Sequence, residues 1–293
     1  MTSDLEVDRI VRACLAEDLG PVGDLTSEWT VPAGATGTAH VVAREAGVLS
    51  GTRSVAAAYA VLDPSLRVTW HVADGGRVEP GTRVATVTGS ARSILAGERT
   101  ALNLLGHLSG VATRTAHVVA LVAGTGARIV DTRKTTPGLR ALQKEAVVHG
   151  GGGNHRFGLH DAVLVKDNHI ALGGGLEAVL ARLDDRPGHL TPVEVEVDTL
   201  EQLAVVLGHD ARRVAQGRRP VVTAVLLDNM PPEVVRVGVT RVRAHPVPVL
   251  VEVSGGVSEA TVRALAEAGP DVISLGALTH SVRCLDLGLD HAG

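Results

Sequence analysis

Ala162-Val-Leu-Val-Lys-Asp-Asn-His-Ile170 is a short apolar run shut by a charged and polar cluster, and the chain repeats that plan on both sides of it. Next come a helix-compatible segment over residues 175–183, the run Val193-Glu-Val-Glu-Val197, a second such segment over 199–207, and the run Ala224-Val-Leu-Leu227. Upstream the alternation starts at Ala127-Arg-Ile-Val-Asp131 and passes through 139–148. It ends with 231–239, Val249-Leu-Val-Glu-Val253, 258–268 and Val272-Ile-Ser-Leu275. Strands alternating with helices predict a parallel sheet, because each parallel connection must cross the sheet and a helix does so compactly. Six such units, with polar residues gathered at the carboxyl ends of the strands, predict an α/β fold: a parallel (β/α) barrel of six to seven units whose reactive face is the strand-end face. An open doubly wound sheet is the weaker reading, since no Gly-x-Gly-x-x-Gly follows a first strand.

Residues 1–112 follow a different pattern. A helix is expected over 5–18, alternating strands over 36–44 and 66–72, and a turn-rich hairpin through Asp74-Gly-Gly-Arg77 and Pro80-Gly81. A further helix runs over 92–111 with Ile94, Ala101, Leu102, Leu105, Leu108 and Ala112 on one face. Arg99 projects from the other side, so it is solvated or used by something outside its own domain. The expected organisation is an N-terminal α+β domain over 1–112, completed by 279–293, and a barrel domain over 113–278. The Arg-rich stretch 208–220 reads as an exposed loop.

Composition narrows the function. A chain of 293 residues, 45% hydrophobic, can bury a sizeable core, and a net charge of -4 argues against a general nucleic-acid or membrane-surface binder. The four aromatic side chains, Trp29, Trp70, Tyr59 and Phe157, cannot build a base-stacking platform. Cys14 and Cys284 stand at opposite ends of the chain, which suits free thiols in a reducing cytoplasm better than a disulfide framework. The first 17 residues lack a basic start followed by an apolar stretch, and no segment reaches membrane-spanning length, so neither secretion nor insertion is expected.

Against this mildly acidic background, Arg133, Lys134, His155, Arg156 and Lys166 cluster around the run Gly150-Gly-Gly-Gly153. Such a group reads as a pocket for a multiply charged anion. The chain has only three lysines, Lys134, Lys144 and Lys166, and two of them close apolar runs. Arg supplies a rigid bidentate fork, whereas Lys supplies a mobile point charge tunable by burial, so lysines kept in an arginine-rich chain point to chemistry.

The strings Gly97-Glu-Arg-Thr-Ala-Leu-Asn103, Leu108-Ser-Gly-Val-Ala-Thr113, Asp131-Thr-Arg-Lys-Thr-Thr-Pro-Gly-Leu-Arg140, Gly151-Gly-Gly-Asn-His-Arg156, Lys166-Asp-Asn-His-Ile170, Leu226-Leu-Asp-Asn229 and Gly276-Ala-Leu-Thr-His280 resemble those of the quinolinate phosphoribosyltransferases, in family order. The resemblance implies an enzyme of NAD synthesis that joins quinolinate to phosphoribosyl pyrophosphate with magnesium, giving nicotinate mononucleotide, pyrophosphate and carbon dioxide. It implies that Arg133, His155, Arg156 and Lys166 bind the diacid, that Thr132 is a further substrate-binding residue, and that Lys134 reaches both substrates. Glu196 and Asp228 would be the acidic pair near the ribose and the magnesium, held directly or through water. Ser254, Gly255, Gly256, Gly276 and Ala277 would present backbone N–H groups to the 5-phosphate, assisted by His280. Lys134, Lys166, Glu196 and Asp228 would be catalytic, and Arg99 would reach into the other subunit of a homodimer. For Glu196 a structural ion pair is a competing use, since Glu194 shares its strand face. Two rival functions are a sister transferase acting on nicotinate or on a molybdenum-operon substrate, and a phosphate-ligand sensor without turnover.

Overall fold

The computed structural model describes residues 3–184, 186 and 188–292. Its elements begin with α1 (Asp4–Leu19), α2 (Leu25–Thr30), β1 (Thr36–Ala43), β2 (Gly47–Val48), α3 (Thr52–Leu62), β3 (Arg67–Trp70), β4 (Arg77–Val78), β5 (Arg83–Ser90) and α4 (Ala91–Leu121). They continue with β6 (Arg128–Val130), α5 (Arg140–His149), β7 (Val163–Val165), α6 (Asp167–Leu172), α7 (Leu176–Leu183), β8 (Val193–Val197), α8 (Leu200–Ala215) and β9 (Ala224–Asp228). The last are α9 (Pro232–Arg243), β10 (Leu250–Ser254), α10 (Glu259–Glu267), β11 (Val272–Ser274), α11 (Ala277–His280) and β12 (Leu287–His291). Contacts divide the chain into two units. The first holds the residues through His117, Lys134–Gly152 and the chain from Gly276 onward; the second holds Val118–Arg133 and Gly153–Leu275.

The first unit is built on an antiparallel sheet in the order β12-β1-β5-β3. Period-two alternation in β1 and β5 turns Val41, Ala43 and Val87 into an apolar cluster with Val55 and Tyr59 of α3 and Leu102 and Leu105 of α4. The final strand, β12, pairs with β1 from Ala39↔His291 to Ala43↔Leu287, so the C-terminal residues complete this sheet. Helix α4 runs ten residues past the expected end at 111, because its apolar stripe continues through buried Ala112 and Val118. Arg99 is exposed on it, with Glu98 3.8 Å away.

The second unit is the parallel sheet predicted from the repeat, with six strands in the order β6-β11-β10-β9-β8-β7. Aligned partners in a parallel ladder share a face, and the register pairs Glu196 with Leu226, Leu226 with Glu252, and Asp228 with Ser254. The other face carries Val195, Val197, Val225, Leu227 and Val251, each fully buried. This apolar face lies under the helices: a side chain added at Gly238 of α9 would come within 2.9 Å of Leu227 Cδ1. Each such valine or leucine contributes roughly 1.5–3 kcal/mol by leaving water, which leaves the inner face free to be polar.

The edge strands β6 and β7 are bridged by the segment after Gly153. Gly153 N–H donates to Ile129 O at 2.8 Å and Asp131 N–H to Gly153 O at 3.2 Å, while Arg156 Nη1 donates to Ala162 O at 3.1 Å just before β7. His155 of that segment lies 3.1 Å from Glu194 of β8 and 3.5 Å from Glu252 of β10. The sheet therefore curls around His155 into a barrel with a loop-filled seam.

One expectation fails. Residues 208–215 are not an exposed loop, since α8 continues through Ala215; only 216–220 keep the irregular, mostly exposed character expected of the stretch. Asp210 is buried and accepts the N–H groups of Val221 and Val222 at 3.0 and 2.9 Å. Arg213, also buried, donates to the carbonyls of Arg219 and Asp184 and pairs with the Asp184 carboxylate at 2.5 Å. The charged pattern that suggested a loop is an internal polar clamp.

Candidate functional site

Within the barrel unit the structure gathers ten of the residues singled out from the sequence. Thr132 and Arg133 leave β6 immediately after Asp131, whose buried carboxylate accepts the His155 N–H at 2.9 Å. That bond ties the seam segment to the β6 end and carries Arg156 with it. Arg156 is held below the ordinary guanidinium range first by burial and then by the charge of Arg133, which places two guanidinium groups within each other's field. Two cations brought together in this way favour a ligand of charge -2.

Lys166 ends the run after β7 and forms the N-cap of α6, its backbone N–H donating to His169 Nδ1 at 2.9 Å. Its ammonium pairs with the buried Glu196 carboxylate, while the lysine itself stays 44% exposed. Lys166 thus compensates a charge that would otherwise be costly to bury and still presents its stem to solvent. The competing expectation of an ion pair for Glu196 is met, and its partner is Lys166.

Asp228 ends β9 and accepts a hydrogen bond from the Asn229 side-chain amide at 2.6 Å. Asn229 has φ 52°, the single positive value outside glycine among the described residues. The neighbouring turn Ser254-Gly255-Gly256 has φ of 80° and 60° at its glycines. A side chain at Gly255 would collide with Asn229 and lie 2.7 Å from Asp228 Oδ1, so two strand ends meet only because Gly stands there. Ser254 accepts a hydrogen bond from Ser274 Oγ at 2.9 Å.

The remaining candidates lie in the first unit. Lys134 is exposed, and its carbonyl accepts the Thr279 hydroxyl at 2.7 Å. A side chain at Gly276 would sit 2.8 Å from Lys134 Cδ and 3.0 Å from the His280 ring, so Lys134, Gly276 and His280 are neighbours. Ala277 follows at the start of α11, and His280 Nδ1 lies 2.6 Å from Ser281 Oγ.

Sequence reasoning missed the polar floor of the barrel. His155 Nδ1 accepts the Arg156 N–H at 2.6 Å, so the proton of the neutral ring lies on Nε2, which faces Glu194 and Glu252. Those two carboxylates and His155 line a cavity of about 450 Å³ together with Arg128, Asn154 and Arg156. The signal was present as a glutamate at an inward position of Val249-Leu-Val-Glu-Val253. Alternation alone does not reveal whether an inward face is packed or polar.

Comparison with known proteins agrees with this architecture. A family model described as the C-terminal domain of quinolinate phosphoribosyl transferase matches residues 111–290, and the corresponding N-terminal domain model matches 24–109. The chain is 45% identical to a nicotinate-nucleotide pyrophosphorylase [carboxylating] of Mycobacterium leprae, covering 99% of this chain and 100% of that one. It is 37% identical to a probable enzyme of the same name from Bacillus subtilis, with 98% and 93% covered. The solved nicotinate-nucleotide pyrophosphorylase of Francisella tularensis superposes with a TM-score of 0.90 at 35% identity, covering 100% and 98%.

Proposed function

Since the chain belongs to the quinolinate phosphoribosyl transferase family over both of its domains, we propose that it transfers the phosphoribosyl group of phosphoribosyl pyrophosphate to the ring nitrogen of quinolinate and releases carbon dioxide. The products are nicotinate mononucleotide and pyrophosphate, a step of NAD synthesis. The observation that carries the reading is the match of both family domain models along the chain, and the charge of Arg133 felt at Arg156 suits a ligand with two adjacent carboxylates. Both ring nitrogens of His155 face protein groups, so its contribution is to set Arg156 in place.

Glycosyl transfer of this kind passes through an oxocarbenium-like state, in which positioning and fixed charge supply most of the barrier reduction. Glu196 and Asp228 bring negative charge to the barrel mouth where the ribose would lie. Lys166 balances Glu196 and would stand near the diacid. Magnesium is the expected cofactor, and it would neutralise the departing pyrophosphate. Asp228 fits it as the principal oxygen donor, because Glu196 is already engaged by Lys166. The turn at Ser254, Gly255 and Gly256 suits a phosphate, as strand-end turns late in barrels commonly do. For Thr132, Lys134, Gly276, Ala277 and His280 the substrate roles rest on the family resemblance.

The assembly is read as a homodimer with Arg99 offered across the interface, in keeping with its exposure. A cytoplasmic setting is the reading we adopt, in keeping with the free thiols Cys14 and Cys284. Among the described residues no helix is long and apolar enough to cross a membrane. The test incubates purified protein with quinolinate, phosphoribosyl pyrophosphate and magnesium and measures nicotinate mononucleotide and carbon dioxide. The expected result is turnover of quinolinate and none of nicotinate. Turnover of nicotinate alone, or binding without turnover, would overturn the reading.

A further inference from the structure

Resting on that reaction, we propose that Glu252, on the floor of the barrel, is the source of the proton that replaces the departing carboxylate on the pyridine ring. When the carbon–carboxylate bond breaks, carbon dioxide leaves without the bonding electrons. The pair stays on C2 beside the cationic ring nitrogen and must take up a proton. In the proposed step the Glu252 O–H bond breaks as the C2–H bond forms, Glu252 standing level with Glu196 on the inward face because both pair with Leu226. Glu252 is left as a carboxylate, and solvent reprotonates it.

Four features of the structure support the assignment. Glu252 is 94% buried, since 6% of its surface is exposed, and its Oε1 accepts no hydrogen bond from the described residues, although it lies 3.5 Å from His155 Nε2. A carboxylate oxygen left so is costly, whereas a carboxylic acid tolerates it. Burial, and then the charge of Glu194, push the Glu252 carboxyl up to about 7, against smaller opposing pulls from His155, a Ser274 hydrogen bond and Lys166. The acid is therefore available at neutral pH. The cavity beside it reaches solvent, because its wall includes the first residues of five strands, Arg128, Val163, Ala224, Leu250 and Val272, and Arg128 and Leu250 are exposed. Finally, the other candidates in the barrel are committed. Glu196 is paired with Lys166, Asp228 holds the Asn229 amide, and His155 directs its Nε2 proton at Glu194. Arg156 and Asp161 also line the cavity; the former stays charged at any working pH, and the latter accepts the backbone N–H groups of Phe157 and Gly158.

The test is Glu252→Gln, since an amide has the shape of the neutral acid and preserves a purely structural role while removing the proton. Rapid-quench measurements follow pyrophosphate and nicotinate mononucleotide separately. Pyrophosphate release should stay within about twofold, while mononucleotide formation falls about tenfold or more, with the carboxylated intermediate accumulating. KM for quinolinate should hold, and added formic or acetic acid should restore part of the rate through the cavity. Parallel loss of both products with a raised KM, or an unchanged rate of mononucleotide formation, would overturn the proposal. If the Gln variant does not fold, Glu252→Asp and the wild-type pH profile decide: the mononucleotide step should weaken as pH rises through about 7 and be slower still in the Asp variant. A pH-independent step, or an Asp variant as fast as wild type, would overturn it equally. Absence of pyrophosphate release from the wild type would instead reject the underlying reaction.

Discussion

The carboxyl of Glu252 is pushed up to about 7 by its surroundings, and this has a measurable consequence for stability. Its folded-state value, about 7, lies above the unfolded one, so the folded chain binds the extra proton more tightly between those values. The resulting stabilisation is fully present below the ordinary carboxylate range and is lost as pH rises through about 7. Glu252→Gln removes the titration, so the melting temperature of the variant relative to wild type should increase from pH 5 to pH 8; an equal offset at both would contradict the neutral state. At Gly255 the positive φ and the close approach to Asn229 and Asp228 make Gly255→Ala destabilising by about 1–3 kcal/mol. Chemical denaturation measures that loss, and a raised KM for phosphoribosyl pyrophosphate would link the turn to phosphate binding. The cations at 133 and 166 were legible because charge closing an apolar run is conspicuous, and the one at 156 because it follows a run of four glycines. Glu252 was not, because its chemistry depends on what the opposite walls of a closed sheet bring toward it.

All six barrel strands could be placed from sequence, since each is a β-branched or leucine-rich run between helix-compatible segments. Element ends were less legible where polar residues face inward. Helix α8 shows why: Asp210 and Arg213, three apart, read as solvated, yet they satisfy backbone groups of the chain entering β9 and an acid at the end of α7. Asp210→Ala would strand two backbone N–H groups, a cost of about 1–3 kcal/mol for each one left buried. Thermal unfolding should show the drop, while kcat/KM at low temperature stays near wild type. A variant as stable as wild type would return this stretch to the status of a dispensable surface turn.

Arg99 has its prediction in the assembled protein. If it serves the partner's site, an Arg99→Ala chain and a Lys166→Ala chain are each inactive, but half of a random mixture is mixed dimers with one intact site of two. About a quarter of wild-type activity should then return on mixing. No recovery, with dimers confirmed by sedimentation, would confine Arg99 to its own subunit. This use of Arg99 has no direct signature along the chain, because a partner leaves no periodicity in the sequence it binds.

The division of the chain also bears on how the protein can be handled. Passing from residue 117 to 118, from 133 to 134, from 152 to 153 and from 275 to 276, the backbone changes unit four times. Neither part can be excised as an uninterrupted stretch of gene: a fragment begun at residue 113 carries 134–152 and the C-terminal strand away from the sheet and helices they pack with. Attempts to express the halves separately should yield insoluble material, and permuted or spliced versions would have to respect all four crossings.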